Sequence, residues 1–205
     1  IHQHGCFLIG EGGGGLIHDD EFGIEGKRLG NFHHLLLGSG EAAGRESGLA
    51  VRLLEEFLMT GVPAHNALCT LASALALRGE ETGGFTTVDL LEIRLGSGKA
   101  KLYKWGAAPS YLLVHGEPIK IGTATPPPGI SVQSVPMAVE KLSLRRGETL
   151  VLVSDGLGQA QTMACCMEGN GVPPSELARR ILNGAQVPGP DDATVVVIRL
   201  EGLNG

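Results

Sequence analysis

Residues 85–93 read Phe85-Thr86-Thr87-Val88-Asp89-Leu90-Leu91-Glu92-Ile93, and after a Gly-Ser-Gly turn at 96–98 the chain resumes as Lys99-Ala100-Lys101-Leu102-Tyr103-Lys104-Trp105. The first segment is rich in strand formers, the second alternates with a two-residue period, and glycines separate them. That combination predicts paired β-strands. Upstream the period changes. Ala42, Ala43, Leu49, Ala50, Leu53, Leu54, Phe57 and Leu58 recur at three- and four-residue spacing, which predicts an amphipathic helix. Gly61 ends it, and Pro63 opens a second helix carrying Ala64, Leu68, Leu71, Ala72 and Leu75 on one face. A helical hairpin is therefore expected over residues 41–78.

Further upstream, a short apolar strand is expected from about Phe32 to Leu37, stopping at Gly38-Ser39-Gly40. Residues 1–30 are rich in Gly and His, with Gly12-Gly13-Gly14-Gly15 leading into Leu16-Ile17-His18-Asp19-Asp20. Downstream, Ser110 to Val114 reads as a strand, and Thr125-Pro126-Pro127-Pro128-Gly129 as a rigid loop, since proline cannot donate to a ladder. Strand character returns at about 131–144 and at Thr149 to Ser154. Ser175 is expected to cap a helix from Glu176 to Leu182. Ala193 to Leu200, with its Thr-Val-Val-Val-Ile centre, reads as an almost wholly buried strand. No repeat or linker divides residues 1–205, so one domain is expected.

Composition narrows the function classes. Of 205 residues, 42% are hydrophobic and 19% charged, enough to bury a core and too apolar for general disorder. No apolar run approaches the roughly 20 residues that span a bilayer, and no leader precedes the chain, so it reads as a soluble fragment of a longer protein. The net charge of −6, with no Lys/Arg cluster longer than a pair, argues against nucleic acid as a partner. The 32 glycines lack a three-residue period and so imply tight turns rather than a collagen helix. Cys6, Cys69, Cys165 and Cys166 lack C-x-x-C spacing and read as reduced thiols of a cytoplasmic protein. The glycine run is not followed by a phosphate-loop lysine, and the histidines lack zinc-site spacing.

Carboxylates recur at one architectural position. Asp20 follows an apolar pair, Asp155 ends Leu150-Val151-Leu152-Val153-Ser154 and precedes Gly156, and Asp191-Asp192 heads the last apolar run. Each alone could be a turn residue. As a set, oxygen donors at strand ends beside glycine suit hard divalent cations such as Mg2+ or Mn2+.

In order along residues 10–200, several segments resemble the bacterial metal-dependent PP2C-type (PPM) protein phosphatases, most of all a sporulation branch. They are Gly40-Glu41-Ala42-Ala43 with Arg45-Glu46-Ser47, Phe85 to Leu90, Gly106-Ala107-Ala108-Pro109-Ser110, Ser154-Asp155-Gly156 and Asp191-Asp192-Ala193-Thr194. The resemblance implies an α+β fold, an α-β-β-α sandwich of two stacked antiparallel sheets flanked by helices. It implies a two-metal centre of Mn2+ or Mg2+ that directs hydroxide in line at the phosphorus of a phosphoserine or phosphothreonine, with no protein nucleophile. Asp20, Asp155 and Asp191 match family metal ligands, with Asp19, Gly156 and Asp192 as neighbours of the site. The implied substrate is a phosphorylated anti-sigma-factor antagonist, acted on in the cytoplasm by a parent protein anchored at the membrane; a homodimer is left open.

One position departs from the pattern. Where the family carries a metal-bridging Asp after its first strand, this chain reads Leu35-Leu36-Leu37-Gly38-Ser39-Gly40. Leucine has no donor atom. The alternative to an active phosphatase is therefore a pseudophosphatase or regulatory interaction module that keeps the fold without turnover.

Overall fold

Successive residues of the central hairpin face opposite layers. Val88 and Leu90, with Tyr103 and Trp105 opposite, enter one buried cluster; Leu91, Ile93, Ala100 and Leu102 enter another. That period of two defines a sheet covered on both faces and explains why the apolar residues of 88–93 fall in both strand phases. The computed structural model describes residues 7–11, 33–38, 44–82, 86–94, 97–128, 137–187 and 193–200.

The first sheet holds β1 (Phe7–Glu11), β2 (His33–Gly38), β3 (Val88–Arg94), β4 (Lys99–Trp105) and β7 (Ala138–Ser143), in the order β1-β2-β3-β4-β7. The second holds β5 (Ser110–Val114), β6 (Glu117–Ile121), β8 (Thr149–Val153) and β9 (Val195–Arg199), in the order β6-β5-β8-β9. All pairings are antiparallel except β1 with β2, which is parallel. Leu91, Ile93 and Leu102 of the first sheet meet Leu150 and Leu152 of the second, so the sheets stack face to face. Outside the first sheet lie α1 (Gly44–Met59) and α2 (Ala64–Thr82), which bury Leu54, Leu58, Leu68 and Leu75 against Val88, Leu90 and Trp105. Outside the second lie α3 (Gln159–Glu168) and α4 (Pro174–Ala185), packed on Tyr111, Leu113, Val151 and Val153 through Cys166, Leu177 and Ile181. The expected α-β-β-α sandwich is the fold.

The hairpin of helices turns where glycine allows it. Gly61 has φ +84° and donates its N–H to Leu58 O, while Val62 donates to Phe57 O. This paired closure caps the helix, and Val62 packs back on the same cluster as Phe57. Pro63 then accepts the Ala67 N–H and starts α2.

Two expectations are corrected. Ser175 caps nothing: α4 starts at Pro174, with Pro173 at the cap position and no side-chain cap, because proline pre-sets the first-turn φ. Of the strand character expected at about 131–144, β7 supplies Ala138–Ser143, and 131–136 lie outside the described residues. The last strand, expected to be almost wholly buried, is half-buried from Val195 to Arg199, where β9 stands at the edge of its sheet among the described residues. Strands β1 and β6 and helix α3 were not anticipated.

Candidate active-site end of the sandwich

Register places several motifs at one end of the molecule. Leu37 lies opposite Asp89, and Asp89 opposite Lys104, so the end of β2, the start of β3 and the end of β4 coincide. In the second sheet Val153 lies opposite Val195 and Tyr111 opposite Val151, so the start of β5, the end of β8 and the start of β9 coincide likewise. Lys104 Nζ donates to Ser110 Oγ at 3.0 Å across the interior, which shows that the two ends are the same end. Thr86-Thr87, Gly106 to Pro109, Ser154 to Gly156 and Ala193-Thr194 all open there.

Asp155 is exposed on the turn that leaves β8, whose five residues are all buried, and Gly156 behind it is buried. The turn is held from several sides. Ser154 N–H donates to Thr194 O, and Thr194 N–H donates to Ser154 Oγ, each at 2.9 Å. Leu157 N–H closes on Ser154 O at 3.3 Å, and Val187 N–H donates to Gly156 O at 3.0 Å. Asp155 thus stands at the strand end the sequence predicts. Asp19, Asp20, Asp191 and Asp192 lie outside the described residues, although Asp191-Asp192 runs directly into Ala193-Thr194, the segment Ser154 grips. Leu35 to Leu37 lie within β2, paired with Leu8 to Gly10 and with Leu91 to Asp89. Among the described residues no three His, Cys, Asp or Glu side chains gather as a metal site.

The Gly106-Ala107-Ala108-Pro109-Ser110 motif is a turn defined by close approach. Gly106 has φ +68°, and a Cβ there would sit 2.5 Å from Pro127 Cα. Its N–H donates to Thr125 Oγ1 at 3.0 Å, joining the motif to the proline loop.

Sequence reasoning missed a buried polar group beneath this end. Asp89 and Lys104 are the buried charged side chains among the described residues, at 2% and 1% exposure. Lys104 Nζ donates to Asp89 Oδ2 at 2.5 Å as well as to Ser110. Burial pushes the Asp89 carboxyl up from its ordinary range, opposed by the Lys104 charge and by hydrogen bonds from Lys104 and Ser110. The signal was available: Asp89 shares strand phase with Leu91 and Ile93, and Lys104 with Ala100 and Leu102, so both charges stand at core-facing positions of neighbouring strands.

Fold and motif placement together define a phosphatase domain of the PP2C type. The chain belongs to the stage II sporulation protein E (SpoIIE) family, whose sequence model matches residues 36–201. Stage II sporulation protein E of Bacillus subtilis (strain 168) is 27% identical over 207 aligned positions, covering 92% of this chain and 24% of that protein. The chain therefore spans about a quarter of the length of the curated relatives it matches. The solved PP2C phosphatase domain with a fragment of the regulatory domain of SpoIIE from Bacillus subtilis superposes with a TM-score of 0.65 at 25% identity, covering 83% of this chain and 55% of that one. RsbX in complex with magnesium shares the fold, with a TM-score of 0.63 at 16% identity over 86% of this chain and 90% of that one.

Proposed function

We propose that this domain is a Mn2+- or Mg2+-dependent phosphoserine/phosphothreonine protein phosphatase acting on a phosphorylated anti-sigma-factor antagonist in the cytoplasm, as part of a longer, membrane-anchored protein. The observation that carries the reading is Asp155, exposed at the end of a fully buried strand on a turn clamped to the segment that follows Asp191-Asp192. Family membership and the magnesium-bound fold relative support it.

The donor chemistry fits hard cations. Asp20, Asp155 and Asp191 would hold the metals through carboxylate oxygen, and Gly156 puts no side chain beside Asp155. When bound, such ions neutralise phosphoryl charge and acidify a water so that it can attack phosphorus. The chain's own part is to hold those carboxylates at fixed spacing and to present the end of the sandwich to a phosphorylated segment. The Cys166 thiol, on the helix after the Asp155 turn, does not favour a covalent route. Cys166 is fully buried, and burial with the neighbouring Cys165 thiol pushes it up to about 12, the opposite of an activated nucleophile.

The test is hydrolysis of a phosphoserine peptide by the folded chain, with and without millimolar Mn2+, using Asp155→Ala as control. Metal-stimulated turnover that falls at least about 100-fold in Asp155→Ala is the expected result, since a metal ligand contributes more than the outer-shell groups around it. A folded chain with no metal-stimulated turnover would favour the non-catalytic interaction module, as the Leu35–Leu37 departure would then explain.

A further inference from the structure

We propose that Lys104 is a positioning residue: clamped between Asp89 and Ser110, it sets the active-site end of the first sheet against that of the second, and so fixes where the Asp155 turn stands. The inference rests on the phosphatase reading for its catalytic consequence, but its structural part is independent of it.

The geometry runs through the first two residues of β5, which point opposite ways. Ser110 faces inward and accepts the Lys104 ammonium at 3.0 Å. Tyr111 faces outward, and its hydroxyl donates to Gln159 O at 3.3 Å, at the start of the helix that follows the Asp155 turn. The start of β5 is therefore a crossbar, tied to the first sheet by one side chain and to the Asp155 segment by the next. On the far side Asp89 lies opposite Leu37, so the same clamp reaches the end of β2 where the family's bridging ligand is expected.

The backbone is shaped around the lysine. Gly122, at φ +102°, has no room for a Cβ because the Lys104 stem occupies that space. Thr125 Oγ1 donates to Lys104 O at 3.5 Å while receiving the Gly106 N–H. The 122–125 stretch is thus fitted to Lys104 twice, by Gly122 against its stem and by Thr125 at its carbonyl.

Stability alone does not account for such a pair. A buried ion pair loses its hydration on both partners, and apolar replacements of similar volume are commonly neutral or stabilising. Among the described residues Asp89 Oδ1 also finds no hydrogen-bond partner, an additional cost that an apolar core would not carry. What the charges provide and apolar side chains do not is direction: an ammonium must sit where both oxygens reach it, whereas packed methyl groups can slide.

The experiment compares the intact chain with Asp89→Val/Lys104→Met, an apolar pair, and with Ser110→Ala, which keeps both members of the ion pair and removes the hydroxyl that ties them to β5. Three quantities are read: the thermal midpoint, amide exchange at Ser154, Leu157 and Thr194, and the Mn2+ concentration giving half-maximal phosphopeptide hydrolysis. With the thermal midpoint of the apolar pair at or above that of the unaltered chain, exchange at those amides is expected to be about 10-fold faster. The half-saturating Mn2+ is expected to rise about 10-fold, as for loss of an outer-shell support. Ser110→Ala should move both in the same direction by less, and it serves as the readout if the apolar pair does not fold. Unchanged exchange and unchanged Mn2+ dependence in the folded variants would overturn the proposal and leave the clamp a packing feature. If the unaltered chain has no Mn2+-dependent turnover, the phosphatase reading falls instead, and the exchange rates alone decide whether Lys104 couples the sheets.

Discussion

Ser154 and Thr194, forty residues apart, hold each other through reciprocal hydrogen bonds: the Ser154 N–H reaches Thr194 O, and the Thr194 N–H reaches Ser154 Oγ, both at 2.9 Å. The β8–β9 ladder reaches Val153 opposite Val195, and the serine hydroxyl extends it by one rung after β8 has turned away. A backbone carbonyl could not serve there, because the chain is already leaving the sheet toward Asp155. The side chain therefore joins the turn bearing one candidate ligand to the strand that follows two others.

Ser154→Ala should test that joint. The substitution leaves the Thr194 N–H without its acceptor in a partly buried position, at a cost of about 1 kcal/mol. For a chain of this length that lowers the thermal midpoint by roughly 2–4 °C. Phosphopeptide hydrolysis should fall further than the small change in folded fraction accounts for. Wild-type hydrolysis in the folded variant would show that the joint does not position the site.

Two glycines separate backbone strain from steric approach. Gly147 has φ +83° and open space around its Cβ position, so Gly147→Ala should cost about 1–2 kcal/mol from the left-handed conformation alone. Gly106 has φ +68° and backbone of Pro127 in the way, so Gly106→Ala must also move the proline loop. Its cost is expected to exceed that of Gly147→Ala by about 1–3 kcal/mol, the range for forced overpacking. Denaturant unfolding of the two variants gives the difference, and equal values would mean that the proline loop yields freely.

The contrast between what the sequence announced and what it concealed follows from how burial is distributed. The helical hairpin and the strands Lys99–Trp105 and Ser110–Val114 were legible because each buries a regular apolar face. Helix α3 buries Thr162 and Cys166, one turn apart and only one of them apolar, so no stripe marks it. Strand β6 contains Pro118, which ordinarily argues against a strand, yet an edge position tolerates it. At the site, Asp155 was legible because a carboxylate beside glycine ends a wholly apolar run. Asp89 and Lys104 were not, since fifteen residues of sequence separate two charges that only strand pairing brings together.

Alkaline pH should destabilise the fold through groups that resist ionisation inside it. Burial and Cys165 push the Cys166 thiol from 9.0 up to about 12. Burial and the Glu92 carboxylate push Tyr103 from 10.0 up to about 12. In both cases the unfolded chain gives up its proton first. The stabilising contribution is therefore complete below the unfolded value and is lost as pH rises toward the folded one. Thermal midpoints should decline between about pH 9 and about pH 12, and Cys166→Ala should decline less steeply than the unaltered chain over that window. Parallel curves would show that Cys166 ionises in the fold as readily as in the unfolded chain.

Asp155→Asn should uncouple metal binding from folding. If Asp155 is a ligand, Mn2+ binds the folded chain and not the unfolded one. At a hundred times its dissociation constant it then adds about 2.7 kcal/mol of stability. In a chain of this length that is a rise of roughly 5–10 °C in the thermal midpoint. Asparagine keeps the size of the side chain but removes the charge that a hard cation requires, so the metal-free midpoint should stay within about 1–2 °C, as for an exposed substitution. The Mn2+-induced rise should largely vanish. Calorimetry on both chains, each with chelator and with saturating Mn2+, reads the four midpoints directly. An Asp155→Asn chain that gains as much from Mn2+ as the unaltered one would remove Asp155 from the ligand set, whatever its catalytic rate.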